Sequence, residues 1–303
     1  MDIKEIVIEA PWGKIAGKLC TFPVKLWGSE ADKAILTTHG IMDNAGSFDD
    51  LIPLLPKYFY ICMDLPGHGK SDPLPPILPI HSADYLLAIK VVVDYFQRDK
   101  YIYMGHSYGG QMGMLFSRLY PHLIEKLILL DTLHFVTKPA DAFKSVMITA
   151  IEESLELDRK TKTRSPPQYT YEEAVKKVMQ ARRSPISERA AKNLLKRSLK
   201  KVGEDKFELT IDQRLKFVLS PLHDNRYAIE VLKSAPLQCP VLIILGEDSK
   251  ILRSFLLPVL EHLKRQKCVK IVYMKGDHDV HQVSPERVAP FVCEFLNYNK
   301  SKL

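Results

Sequence analysis

Apolar and polar residues alternate from Ile3 to Ile8 and again from Lys14 to Leu19, with Pro11-Trp12-Gly13 between the two runs. Alternation at period two, broken by turn residues, predicts a pair of antiparallel strands at the start of the chain. Three short apolar runs follow, Ala34 to Thr38, Tyr58 to Met63 and Tyr101 to Met104. Separated by stretches long enough for helices, they have the pattern of parallel strands buried on both faces. Helices are predicted over Ser82 to Phe96 and Gly109 to Tyr120, and a further buried strand, Lys126 to Leu130, ends at Asp131.

From Phe135 to Ala235 the pattern changes to helical, charged and strand-poor, interrupted by Ser165-Pro166-Pro167 and Ser184-Pro185. Strand and helix alternate again afterwards, with strands at Val241 to Leu245 and Val269 to Met274 and helices near Leu252 to Lys267 and from Pro285 to Tyr298. The simplest organisation is one α/β core built from residues 1–134 and 236–303, a mostly parallel eight-stranded sheet flanked by helices, interrupted by a helical lid at 135–235. Residues 299–303 form a polar C-terminal tail.

Composition and charge sharpen this picture. Hydrophobic residues make up 46% and charged residues 26% of the 303, the balance of a folded globular chain. No stretch is long and apolar enough for a membrane-spanning helix, and Met1 to Ala10 does not read as a signal peptide. The five cysteines, Cys20, Cys62, Cys239, Cys268 and Cys293, are odd in number, scattered and free of metal-ligand spacing, so reduced thiols in an intracellular protein are expected and no metal site is assigned. The net charge of +7 belongs to one segment: 21 Lys and Arg face 14 Asp and Glu between Phe135 and Lys233, while the rest of the chain balances at 22 against 22. Such an excess is either a solvated helical surface or a patch for anionic ligands, and without aromatic interleaving it does not indicate nucleic acid.

The chemistry-bearing motif is Gly105-His106-Ser107-Tyr108-Gly109, entered by an apolar strand and left by a helix. Glycines flank the serine because the sharp strand-to-helix turn leaves no room for a Cβ on either side. A serine hydroxyl is a weak nucleophile near neutral pH and needs a base within hydrogen-bond reach, itself oriented by an acid. His278 and His281, in Gly276-Asp277-His278-Asp279-Val280-His281, are the candidate bases; Asp248 and Asp131, each following a predicted strand, are the candidate acids. Asp64-Leu65-Pro66-Gly67-His68-Gly69-Lys70-Ser71 looks like a phosphate loop but lacks the required spacing, so its glycines are read as serving a turn and no phosphate site is assigned.

His39-Gly40, the 64–71 turn, Gly105-His106-Ser107-Tyr108-Gly109-Gly110 and Gly276-Asp277-His278 occur in an order that resembles the α/β-hydrolase superfamily from end to end. The elbow, the stretch Asp212-Gln213-Arg214-Leu215-Lys216 and the ending from Gly276 to His281 are similar to the serine hydrolase-like (Kraken-type) proteins. The resemblance implies a serine hydrolase with a lid, related to epoxide hydrolases and haloalkane dehalogenases, which use an aspartate where this chain has Ser107. It makes Ser107 the nucleophile and His278, directly after the last strand, the base, with His281 a neighbour. By the chain order Ser, Asp, His it favours Asp248 as acid, although that residue comes one position early; Asp131 is the alternative. The oxyanion donors are expected to be the backbone NH groups of Ile41 and Tyr108, with His39 structural.

The implied activity is hydrolysis of an ester or thioester on a small-molecule acyl substrate, possible fatty acyl or acyl-CoA compounds included, without a cofactor. The competing classes are a cofactor-free lyase or oxygenase and a non-catalytic ligand-binding protein of the same fold. The chain ends Ser301-Lys302-Leu303, a peroxisomal address read by an import receptor, so a peroxisomal location is expected, with the cytoplasm as a second compartment.

Overall fold

The computed structural model describes residues 2–21, 32–75, 80–136, 140–182, 185–218, 224–249 and 256–297. The alternating runs at the start form an antiparallel hairpin, β1 (Asp2–Ala10) and β2 (Gly13–Thr21). The core continues through β3 (Ala34–Thr38), β4 (Phe59–Met63), α1 (Ser82–Phe96), β5 (Tyr101–His106), α2 (Ser107–Leu119) and β6 (Ile124–Leu130). After an inserted segment come β9 (Val241–Gly246), α7 (Leu257–Lys264), β10 (Val269–Met274), α8 (Val280–Val283) and α9 (Pro285–Asn297). The helix expected near Leu252 to Lys267 is therefore shorter, and 250–255 lie outside the described residues.

The eight strands make one sheet in the order β1-β2-β4-β3-β5-β6-β9-β10. The six from β4 to β10 run parallel, and the hairpin joins β4 in the antiparallel sense. Both faces are covered, which is why the central strands are predominantly apolar. Leu36, Ile61, Tyr103, Leu129 and Ile243 point to one side, against Tyr85 and Ile89 of α1, Met112 and Phe116 of α2 and Val259 of α7. Ile35, Tyr60, Met104, Ile128 and Leu242 point to the other, against Val288, Val292 and Phe295 of α9. Among the described residues no helix is long and apolar enough to cross a membrane.

Strand order reverses at β3, which lies between β4 and β5, so the carboxyl ends of β3 and β5 border the crevice where α/β sheets characteristically place their sites. Residues 131–240 leave and re-enter the sheet between neighbours: β6 pairs directly with β9, Leu127 opposite Val241. This insertion carries α3 (Phe143–Thr163), α4 (Tyr171–Gln180), α5 (Glu188–Ser198) and α6 (Asn225–Ser234). It also holds something its sequence pattern does not predict, an antiparallel pair, β7 (Leu199–Lys201) with β8 (Phe207–Leu209). Three-residue strands that are partly exposed leave no usable alternation. Ala174, Val175, Ile186, Ala190, Leu194 and Leu195 give the insertion a small core of its own.

Candidate active site

β5 ends at His106 and α2 begins at Ser107, whose φ of 47° lies in the left-handed region that non-glycine residues avoid. The turn is held by close packing that only glycine allows. A Cβ on Gly105 would lie 2.6 Å from the Gly110 backbone, one on Gly109 2.3 Å from the Thr38 carbonyl oxygen, and one on Gly110 2.2 Å from the Thr132 side chain. The Thr38 hydroxyl donates to Tyr103 Oη at 2.7 Å, and that hydroxyl donates to the Gly109 carbonyl at 3.2 Å, tying the turn to the sheet.

The half-buried imidazole of His278 reaches Ser107 from the loop after β10, with Nε2 2.8 Å from Ser107 Oγ. That loop is fixed at several points: Gly276 has φ 143°, the Asp248 NH donates to the Gly276 carbonyl at 3.0 Å, and His106 Nε2–H donates to the His278 carbonyl at 3.0 Å. The other ring nitrogen, Nδ1, lies 2.6 Å from Oδ2 of Asp131, and its carboxylate partner makes it the donor.

The acid facing His278 is thus Asp131, and the preference for Asp248 is corrected. Asp248 is exposed at the end of β9. Because it comes one residue early in its turn, buried Ser249 occupies the inward place and donates its hydroxyl to Asp131 Oδ2 at 2.6 Å. Asp131 itself is 1% exposed, has φ 47°, and receives the Gly246 NH on Oδ1 at 2.8 Å. Three donors, from His278, Ser249 and Gly246, converge on this one buried carboxylate and hold it in place. Burial alone would push the His278 imidazole down, but the hydrogen bond and charge of Asp131, with the charges of Asp279 and Asp43, outweigh it and hold the pKa above the ordinary value.

The turn after β3 passes beside the serine: a Cβ on Gly40 would sit 3.3 Å from Ser107 Cβ. Asp43 NH closes the turn on the Gly40 carbonyl at 3.1 Å, and Met42 has φ 69°. Two buried histidines brace it. His39 donates from Nδ1 to the Gly40 carbonyl and accepts the Leu65 NH on Nε2, both at 2.9 Å; His68 donates to the Pro66 carbonyl at 3.0 Å and accepts the Met42 NH at 3.2 Å. Burial lowers the pKa of both, so each stays neutral and serves as donor and acceptor at once. Ile41 follows Gly40 in this turn, and Tyr108 follows Ser107 as the second residue of α2. The 64–71 turn encloses its own anion: Asp64 accepts the Ala45 and Lys70 NH groups at 2.8 Å each, and a Cβ on Gly69 would fall 2.3 Å from its carboxylate.

Two arginines of the insertion cross into this framework, and neither was singled out from sequence. Arg197 of α5 donates to Asp64, the closest contact being 2.8 Å, and to Glu5 at 2.6 Å. Arg182, just after α4, pairs with Asp43 and with Asp279, the latter at 3.2 Å. Gln282 Nε2 donates to both carboxylates at 3.1 Å. His281 packs against His106, the two ring centroids 4.0 Å apart. Asp43, His106 and Asp279 offer ligand atoms within 4.8 Å of one another, but the guanidinium of Arg182 already answers the two carboxylate charges.

A family model described as alpha/beta hydrolase fold matches residues 33–281. A serine hydrolase-like protein from Danio rerio is 30% identical over 300 residues, covering 96% of this chain and 88% of the relative. Serine hydrolase-like protein 2 from Homo sapiens is 30% identical over 309 residues, covering 97% of this chain and 94% of the relative. Among solved structures, a hypothetical protein from Pseudomonas aeruginosa PAO1 superposes with a TM-score of 0.82 at 26% identity, covering 98% of this chain and all of that one.

Proposed function

Since the chain belongs to the α/β-hydrolase fold family, we propose that it is a serine hydrolase that cleaves a carboxylic ester or thioester through an acyl-enzyme on Ser107. The observation that carries this reading is the continuous hydrogen-bonded line from Asp131 through His278 to Ser107. The 105–110 turn is then a nucleophile elbow. His278 Nε2 takes the hydroxyl proton as Ser107 Oγ attacks the acyl carbon, and Asp131 stabilises the imidazolium without taking its proton. The NH groups of Ile41 and Tyr108 receive the developing oxyanion; one such donor typically contributes about a hundred-fold or more in rate. His278 then protonates the leaving alcohol or thiol, and water, activated by the same nitrogen, hydrolyses the acyl-enzyme.

The insertion acts as a lid, and its basic excess favours an acyl group carried on an anionic leaving group such as CoA. Two of its cations, Arg182 and Arg197, are spent on core carboxylates, so the part left for a ligand is smaller than composition alone suggests. The terminal Ser301-Lys302-Leu303 lies outside the described residues; we assign it the role of a peroxisomal address.

Purified protein is expected to react covalently with a fluorophosphonate and to hydrolyse p-nitrophenyl esters at some acyl length, with CoA titration testing the thioester branch. A folded protein that neither labels nor turns over would overturn the reading and direct attention to a lyase or a receptor. The raised pKa of His278 adds a pH signature. The base must be neutral to work, so kcat/KM should fall as pH drops through a value above the ordinary 6.5. A pH-rate profile whose acidic limb lies at or below 6.5 would contradict that assignment.

A further inference from the structure

We infer that Arg182 is a positioning residue, through which the lid completes the catalytic geometry by locking the oxyanion turn and the His278 loop together. This rests on the serine hydrolase reading above. The inference starts from two buried carboxylates on different loops. Asp43 lies two residues beyond Ile41 and closes the turn onto Gly40; Asp279 is the residue after His278. Both are nearly inaccessible to water, 2% and 5% exposed, and their oxygens are close enough to fall in one cluster with His106. Two such anions repel each other unless a cation joins them.

The joining cation comes from the insertion. Arg182 contacts Asp43 with one terminal nitrogen and Asp279 with the other, the use for which a planar fork suits better than an ammonium. Gln282 donates to both acids as well, but it is neutral and cannot cancel their charge. Behind the pair, His106 donates to the carbonyl of His278, so the elbow, the base loop and the oxyanion turn meet at one cluster. If the lid withdraws, Arg182 leaves with it and the two loops are pushed apart. A misplacement of about 1 Å at such a site costs roughly a hundred-fold in rate.

The test compares the full-length wild type with Arg182→Gln, Arg182→Lys and Arg182→Ala, using fluorophosphonate labelling and p-nitrophenyl ester turnover. Arg182→Gln and Arg182→Ala should lose on the order of ten- to a hundred-fold in kcat and in labelling rate, with KM changing much less. Arg182→Lys should retain part of the activity, and millimolar guanidinium should partly restore Arg182→Ala, which separates positioning from failure to fold. The groups facing His278 are Asp131, Asp279, Asp43 and His106, with His281 and Arg182 behind them. Losing the guanidinium charge removes its compensation of Asp43 and Asp279, so the acidic limb should also move to higher pH in Arg182→Gln. Arg189→Gln, which removes a partly exposed pair with Asp50, should stay within about two-fold of wild type. Wild-type labelling rates in Arg182→Gln, or a loss that neither lysine nor guanidinium restores, would overturn the inference. Absence of labelling in the wild type would instead overturn the proposed function on which it depends.

Discussion

Replacing Ser107 with alanine is expected to abolish fluorophosphonate labelling and to lower ester kcat by roughly a million-fold, the scale on which a triad loses its nucleophile. The substitution removes one oxygen from a half-buried position and leaves the backbone path unchanged, since alanine at φ 47° carries the same strain as serine. The variant should therefore fold, with the three glycines still holding the turn. The measurement is labelling beside a denaturant melt of both proteins. Labelling that persists at the wild-type rate in a folded Ser107→Ala would place the nucleophile elsewhere.

The second large effect separates two acids. Asp131→Asn should lower kcat/KM about ten-thousand-fold, as expected when the orienting carboxylate becomes an amide. Two oxygens of Asp131 accept three donors, from His278, Ser249 and Gly246. An asparagine has only one oxygen. If its NH2 faces His278, the imidazole must turn to the tautomer that presents Nε2–H to Ser107 and can no longer take a proton. If its oxygen faces His278 instead, the NH2 meets the Gly246 NH, a buried clash of donors that costs about 1–3 kcal/mol of stability. Residual activity should show an acidic limb at lower pH, because the charge holding His278 up is gone. Asp248→Asn, at an exposed position, should remain within about two-fold of wild type. Equal losses in the two variants would refute the assignment of Asp131.

The core was legible because each signal was local. Apolar runs of five to seven residues between turn residues are too short for buried helices and fit strands covered on both faces, as β3, β4, β5, β6 and β9 are, while Gly105 and Gly109 around Ser107 announce a turn that tolerates nothing larger. The acid is harder to read, because chain order points to Asp248 while spacing points away from it. Asp248 stood one residue early, and that offset exposes its carboxylate and turns Ser249 inward toward Asp131. Arg182 was beyond reach for a different reason. Its two partners lie 139 and 97 residues away, and nothing in its own neighbourhood distinguishes it from other lid cations. β7 and β8 are too short to impose a period.

The direct pairing of β6 with β9 bears on how such a chain can diversify. Since the insertion departs and returns at neighbouring strands, its length and helix count can drift without disturbing any register in the sheet. Heritable change in selectivity can accumulate there at small cost to folding. Arg182 and Arg197 set the boundary of that freedom, because each completes a charge balance with carboxylates of the sheet-bearing core. A lineage that exchanged this segment wholesale would have to bring equivalent cations with it or replace the acids they answer.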